Sequence, residues 1–588
     1  MQPVDFTTLM AVCAELRSHW LPARCEQVVQ RDRTTLCMAL RTLNQRGWLT
    51  ISWHPQAARM HIDVPPPKVP DTFTFSQQLK HQLNGYALIS IEPVGAWERA
   101  FDLGFAQRPG EPIQWHLYVE VMGKYSNVIL VNARGQIVTA AHQVSEKQSS
   151  VRPILTGTPY TLPPAITGPF PTLDEPQARW QERVSLVPAS LKKALFAAYR
   201  GLSSSLVRDL AAQANLSLEQ STTDLSAADW RRLFDAWQAW LCCLQTETFQ
   251  PHFVDRGYSV VREAGTAAAD VQSLLCQYYT DALNHQVFEQ LKNRLAQRLK
   301  TLLKKLKQKE ATFLSRWQKA VSADDCKQQA DLLMAYSYQW QPGMRQMPLA
   351  DFDTGETINI SLEPEKNAIQ NAQALYKRHQ KLKRSRLAIA PLLDEVQAQI
   401  AYLEQVDAAL RQIERYATAS DLSAIQEIHD ELIQEGYLKD PTYRPHPNHS
   451  HETLNVRKLK TPGGIEIWVG RNNRQNDLLI SKAATDYDLW FHTQEIPGSH
   501  VLLRLDAGQQ PADADLHFAA DVAAYFSRAQ QADQVPVVFT QPRYVFKPKG
   551  ALPGMVTYTH ETVIWGQPAK LRDRFKQNPA PAPRLVSL

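Results

Sequence analysis

Apolar and polar positions along this chain repeat with two different periods. Residues 5–20 carry apolar side chains at helical spacing. The chain then switches to short β-type runs, CEQVVQ, TTLCMAL, WLTISW and RMHIDV, separated by turn residues. A helix is predicted over 73–84. Further strands follow in ALISIEPVGAWERAFDLGF, IQWHLYVEVMG and SNVILVNARGQIVTA, the last broken by an Asn-Ala-Arg-Gly turn. The pattern predicts a mixed, mostly antiparallel α/β domain over residues 1–155, closed by the Pro-rich stretch TGTPYTLPPAITGPFPTLDEP.

Helical periodicity dominates from 176 to 283. Within it Gly201-Leu202-Ser203 separates two apolar-periodic segments, as in a helix-hairpin-helix. The tight turn needs Gly, and a hydroxyl of Ser203 or Ser204 can cap the second helix, whose N-terminus suits a phosphate. An ordinary helical corner is the alternative. Leu295, Leu299, Leu302, Leu306 and Phe313 follow a heptad, and so do Ile389, Leu393, Val396, Ile400, Leu403 and Leu410. Two such arms around an insertion predict a long antiparallel coiled coil over 284–437 with a small tip domain at about 321–385. The segment 440–453 reads as a linker. In the last domain, 454–575, KTPGG turns between two strands, and Asn472 or Asn473 caps a short helix. DLWFHT and SHVLLRL are strands, DADLHFAADVAAYFSRAQQ is an amphipathic helix, and VPVVFT, YVFK and MVTYT continue the sheet. The chain is therefore a multidomain α+β protein, with a tail, QNPAPAPRLVSL, of disordered composition.

Composition narrows the class. A chain of 588 residues exceeds one core, and roughly three to five domains are expected. No apolar run reaches the roughly 18 residues that span a bilayer, so no membrane partner is predicted. The N-terminus lacks the basic start and cleavage site of a signal peptide, which predicts a cytoplasmic protein. Seven cysteines without a CxxC pair read as reduced thiols and exclude a zinc ribbon. The net charge is only +5, but its placement is telling. Lys300, Lys304, Lys305 and Lys307 belong to a one-signed run on the first arm, and Lys377 to Arg386 precede the second. Such a surface suits phosphates by counterion release, against the plainer reading of a solvated helix face.

The stretch 472–504, NNRQNDLLISKAATDYDLWFHTQEIPGSHVLLR, sets polar groups between apolar runs. No GxSxG, HExxH or Walker-type loop occurs in the chain, and His492 and His500 have only Asp488 and Glu495 nearby as a third ligand, so no metal or cofactor is expected. His446, His449 and His451 are read as solvated linker residues. Asn472, Asn473, Gln475, Asn476 and Asp477, with His492, Thr493, Gly498, Ser499 and His500, offer donors and acceptors suited to phosphates, 2′-hydroxyls and base edges. Helix capping by the Asn pair, and hydrogen bonds that merely hold the hairpin, are the competing readings.

WVGRNNRQNDLLISKAA, DLWFHTQEIPGSHVLLR, AAYFSRA, VPVVFT and FKPKGALPGMVTYT, in that order, resemble the C-terminal RNA-binding module of the NFACT family. YVEVMGKYSNVILVN resembles the family's N-terminal signature, and NAQALYKRHQKLKR its coiled-coil boundary segment. The resemblance implies a ribosome-associated quality-control factor. Its members bind large ribosomal subunits obstructed by peptidyl-tRNA and bring in tRNA. They support template-free tailing of the nascent chain, with alanine in bacteria, and a small RNA-binding accessory protein is a further partner. Peptide bonds would be made by the ribosome. The tRNA site implied comprises Glu98, Arg99, Glu120, Met122, Gly123, Lys124, Ser126 and Asn127. Relatives carry Asp-Arg where this chain has Glu98-Arg99, and tend to Arg-His where it has Lys124-Tyr125. Alternation of side chains predicts Glu98 and Arg99 on opposite faces of a strand unless a bulge intervenes. Two other readings remain. A glycosylase-like enzyme needs a mature N-terminal Pro followed by Glu, and this chain reads Met1-Gln2-Pro3-Val4. A fibronectin-binding adhesin needs an export route that the sequence does not offer.

Overall fold

The structure is a computed structural model that describes residues 1–577 apart from 69, 165–166, 256, 353 and 441–453. The three linker histidines and the Pro-rich tail beyond 577 lie outside the described residues. The chain divides into two compact units, Met1–Leu283 and Asn284–Leu588.

The first unit is built on an antiparallel sheet of nine strands: β1 (Ala23–Asp32), β2 (Thr35–Arg41), β3 (Arg46–Ser52), β4 (Arg59–Asp63), β5 (Ala87–Pro93), β6 (Ala100–Ala106), β7 (Trp115–Glu120), β8 (Asn127–Asn132) and β9 (Ile137–Ala140). Their order, β4-β3-β2-β1-β5-β6-β7-β8-β9, joins two meanders through a short β1–β5 pairing. Helices α1 (Phe6–Trp20) and α2 (Thr74–Leu83) accompany it. Leu9, Val12 and Leu16 of α1 share one core with Leu40, Ile51, Leu103 and Leu117 of the sheet. Strands β2, β3, β6 and β8 are buried along nearly their whole length, so these apolar runs become strands covered on both faces. A second core is aromatic, with Trp180, Trp230, Trp237 and Trp240 among helices α3 (Gln177–Ser185), α4 (Leu191–Ala198), α5 (Ser204–Gln213) and α6 (Ala227–Thr246). A capping box of Ser226 and Asp229 starts α6.

Helical periodicity does not continue unbroken to 283. Three short strands, β10 (His252–Val254), β11 (Gly257–Ser259) and β12 (Thr266–Ala267), form a small sheet after α6. They are too short for alternation to register, and their turn at Gly265 lies so close to Phe253 that a Cβ would stand 2.0 Å from its carbonyl oxygen.

Helix α7 (Val271–Val321) starts in the first unit, where Leu274, Leu275 and Tyr279 join the sheet core. In the second unit its heptad residues Leu295 and Leu299 pack with Tyr402, Leu403, Val406 and Leu410 of helix α9 (Ala368–Gln412). Lys292 donates to the Glu414 carbonyl, while Lys307 meets Glu404 and Glu310 meets Gln397, so the two segments run in opposite directions. Helix α8 (Ala323–Ala335) and the hairpin of β13 (Gln346–Ala350) and β14 (Thr357–Ser361) close a cluster around Leu333, Met347, Leu349 and Ile360. Helix α10 (Ala419–Gln434) follows α9.

The last part of the unit holds a six-stranded antiparallel sheet, β15-β16-β18-β17-β19-β22. It comprises β15 (Arg457–Lys460), β16 (Glu466–Val469), β17 (Leu489–Thr493), β18 (Val501–Leu503), β19 (Val535–Thr540) and β22 (Thr562–Gly566). Helices α11 (Asn473–Leu478), α12 (Asp513–Tyr525) and α13 (Pro568–Gln577) complete it. Two sequence assignments change. YVFK and MVTYT contribute β20 (Val545–Phe546) and β21 (Thr557–Tyr558), which pair only with each other, and the strand that extends the main sheet is β22. All seven cysteines are free. Among the described residues no helix is long and apolar enough to cross a membrane.

Candidate nucleic-acid interfaces

Glu98 and Arg99 do not alternate across a strand. Strand β5 ends at Pro93 and β6 begins at Ala100, and the pair lies in the loop between them. The loop turns at Trp97, whose φ of 61° is unusual for a bulky residue. Contacts from distant segments hold it there. The Trp97 ring lies 4.9 Å from Phe6, 6.3 Å from Phe170 and 5.7 Å from Trp240. A Cβ on Gly201, at φ +81°, would stand 2.9 Å from the same ring, so the turn between α4 and α5 needs glycine for space and for backbone conformation.

The Arg99 carbonyl accepts from the Val121 amide at 2.8 Å, which sets Arg99 beside the other expected tRNA residues. Its side chain lines a cavity of about 590 Å³ together with Gln2, Trp97, Ser203, Arg208 and Tyr278. Ser203 caps α5 by accepting from the Leu206 amide at 3.0 Å, and donates to Asp5 at 2.5 Å. Asp5 in turn caps α1 through the Thr8 amide at 2.8 Å. Two arginines and the positive end of α5 thus line one cavity with a single carboxylate, Asp5, which is already engaged by Ser203 and Thr8, an arrangement that suits an anion.

The 120–127 segment divides into a buried frame and an exposed tip. Glu120 is 2% exposed and accepts from both terminal nitrogens of Arg152, at 2.9 and 2.5 Å, and from the Tyr160 hydroxyl at 2.9 Å. Ser126 Oγ accepts from the Met122 amide and donates to the Gly123 carbonyl, both at 2.8 Å. Asn127 bridges to His142 through both backbone groups, donating at 2.7 Å and accepting at 2.9 Å. Lys124 and Tyr125 are exposed, with the ammonium 4.8 Å from the ring centre. Sequence reasoning does not single out Arg152, Arg208 or Trp97. Arg152 pairs with a carboxylate 32 residues away, a relation that no local pattern signals.

In the second unit the polar stretch is mostly buried and mostly hydrogen-bonded within the fold, although Asn473 Oδ1 and His500 Nδ1 are buried without a partner among the described residues. Asn472, as expected, caps α11 by accepting from the Gln475 amide at 2.9 Å. Its amide nitrogen donates to Glu427 at 2.7 Å, and Gln475 donates to the same carboxylate at 3.0 Å. Asn473 donates to Glu431 at 2.9 Å, where the Tyr402 hydroxyl also donates at 2.7 Å. Asn476 accepts from the His500 amide at 3.1 Å. Asp477 binds Lys547 at 2.5 Å and accepts from the Gly554 amide at 3.1 Å. Gln405 of α9 takes both backbone groups of Gly498, and the Ser499 hydroxyl shares its one proton between Gln412 Oε1 at 2.8 Å and the Gly470 carbonyl at 2.7 Å. Thr493 donates to the Ile496 carbonyl at 2.8 Å, and the His492 ring meets the Gly498 carbonyl at 3.3 Å. Burial pushes the His492 imidazole down to about 4 and His500 well below its ordinary value, so both are neutral at pH 7. Among the described residues no group of three or more His, Cys, Asp or Glu is placed to hold a metal.

These residues therefore form a polar seam between α9, α10 and the last sheet domain. Glu431 is a buried carboxyl within it. Burial pushes its carboxyl up to about 7, while the bonds from Tyr402 and Asn473 pull the other way and Asp477 and Glu435 add to the rise. A carboxyl raised above its unfolded value of 4.5 stabilises the fold fully below pH 4.5, and that contribution is lost as pH rises through 7. The second unit should lose up to about 3 kcal/mol over that window. Glu431→Gln keeps an acceptor for both donors and should flatten the profile in urea titrations at pH 5, 6, 7 and 8. An unchanged slope would show that the carboxyl stays ionised throughout.

The helical arm presents Lys300, Lys304 and Lys305 to solvent, and Lys307 is half-exposed beside Glu404 at 2.6 Å. On the sheet, Trp468 lies between Lys458 at 4.4 Å and Arg504 at 4.5 Å.

Exposed lysines on the helical arm give this two-unit α+β protein the kind of surface that multidomain nucleic-acid-binding proteins use. Residues 5–451 match the NFACT N-terminal and middle domains, and residues 456–557 match the NFACT protein RNA binding domain. The chain belongs to the NFACT family. It is 31% identical over 579 residues to the Rqc2 homolog RqcH of Streptococcus suis, covering 96% of this chain and 97% of that one. It is 26% identical over 563 residues to the Rqc2 homolog RqcH of Bacillus subtilis, covering 94% and 96%. The solved C-terminal part of a fibronectin/fibrinogen-binding protein from S. suis is 30% identical and covers 49% of this chain and 98% of that one, with a TM-score of 0.37.

Proposed function

We propose that the protein is a non-enzymatic ribosome-associated quality-control factor. It binds large subunits obstructed by peptidyl-tRNA, recruits tRNA and supports C-terminal alanine tailing by the ribosome's own peptidyl-transferase centre. The observation that carries the reading is similarity along nearly the whole chain to proteins named Rqc2 homolog RqcH. In this reading residues 1–155, 176–283, 284–437 and 454–575 act as four domains, the second a helix-hairpin-helix and the third an antiparallel coiled coil. Arg99 and Lys124 meet tRNA, with Glu98 beside them. Glu120, Met122, Gly123, Ser126 and Asn127 shape the surface that presents them. The buried Asn472, Asn473, Gln475, Asn476, Gly498, Ser499 and His500 serve RNA binding by holding the last domain in place.

Lys300, Lys304, Lys305 and Lys307 meet ribosomal RNA. Replacing all four by Glu should weaken large-subunit co-sedimentation at least tenfold. It should also flatten the dependence of log affinity on log salt by roughly 0.9 for each phosphate that is no longer neutralised. Wild-type protein that does not sediment with large subunits would defeat the reading.

A further inference from the structure

A groove of about 470 Å³ lies in the second unit between α7, α9 and the last domain. Helix α7 contributes Lys292, Lys300 and Lys307, spaced to share one helix face beside the apolar seam. Helix α9 adds Arg411 with Glu404 and Asp407, and the sheet domain adds Arg528. Five cations thus face two carboxylates. The carboxylates are already engaged: Glu404 holds Lys307 at 2.6 Å and Arg528 at 2.9 Å, and Asp407 holds Arg411 at 2.8 Å. Lys300 makes no ion pair among the described residues, and Arg411 remains 77% exposed despite its partner.

We propose that this groove is a binding site for one strand of an RNA backbone, with Arg411 and Arg528 as phosphate ligands on the side opposite the lysines. The proposal deepens the ribosomal reading above and rests on it. From Lys292 to Lys307 the face extends about 22 Å along the helix axis. Over that length one strand of a nucleic-acid helix presents roughly six phosphates. The cations come from three separate elements, and Glu404 fixes two of them toward each other, so the groove is preorganised rather than a scatter of flexible lysines. The lining includes no exposed aromatic side chain, and recognition is therefore of phosphate and not of base.

The test uses the full-length protein and fluorescence anisotropy with a labelled twelve-nucleotide oligouridylate over a range of salt. Arg411→Gln with Arg528→Gln should weaken binding at least fivefold and reduce the salt slope by about 1.4, two phosphates at roughly 0.7 each for a single strand. Glu404→Gln should do the opposite and tighten binding, because the amide oxygen still accepts from Lys307 and Arg528 while the charge that competes with phosphate is gone. An oligoadenylate of equal length should bind as the oligouridylate does. The proposal is overturned if both variants match wild type in affinity and slope. It is also overturned if a polyglutamate of equal charge displaces the RNA as well as unlabelled RNA does, since the groove would then be built for acidic protein. Co-sedimentation of wild-type protein with large subunits reports on the broader reading separately.

Discussion

Arg99→Ala is expected to yield protein that purifies without tRNA and makes no tails, yet still sediments with large subunits. The side chain makes no hydrogen bond or ion pair among the described residues, and it lines an open cavity. Its removal breaks no internal bond, so stability should stay within about 0.5 kcal/mol of wild type. A charge-assisted hydrogen bond to a phosphate or base edge contributes about 1.5–3 kcal/mol, and its loss should weaken tRNA binding roughly ten- to a hundredfold. Arg99→Lys should recover only part of this, since an ammonium lacks the planar fork. Co-purified RNA is measured directly, and tailing by mass shift of a stalled reporter. Normal tRNA and tails in the alanine variant would remove Arg99 from the site while leaving the family assignment intact.

Glu120→Ala should cost the first unit about 3–5 kcal/mol, because it strands a guanidinium whose side chain is only 12% exposed. Arg152 would keep one bond, from Nε to the Thr161 carbonyl at 2.8 Å. Tyr160 would lose its acceptor while still stacked on Tyr118 at 3.9 Å. Glu120→Gln retains an acceptor and should cost less. Urea unfolding followed by tryptophan fluorescence measures both. Glu120 lies in a segment whose sequence suggests tRNA contact, and the two roles separate cleanly. A framing residue lowers the unfolding midpoint and leaves tRNA affinity of the folded protein near wild type. A tRNA ligand does the reverse.

The sequence made much of the fold legible because its elements are set locally. β-type runs bounded by turn residues locate the strands of the first sheet, with β5 and β6 reading as one run through the loop between them, and Asn472 is one of two candidate caps. What it hid depends on partners far along the chain. The bend that takes Glu98 and Arg99 off a strand is imposed on Trp97 by Phe6, Phe170 and Trp240. The amides of 472–476 suggest contact with RNA because their acceptors, Glu427 and Glu431, lie on a helix that reads as an ordinary amphipathic surface. Donor chemistry is visible in a sequence, but the choice between an internal acceptor and an external one is made by tertiary packing.

The polar seam has a bearing on how the protein comes apart. The contacts that mount the last domain on α9 and α10 are largely amides, hydroxyls and carboxylates, each neutral hydrogen bond being worth about 0.5–1.5 kcal/mol net and each bond to an ionised carboxylate about 1.5–3. Water offers the same partners. A protease that severs the chain between 441 and 453 would therefore release a fragment whose freshly bared face wets readily and stays dispersed. A cut that separated α7 from α9 would instead bare the leucine seam, and the pieces would clump.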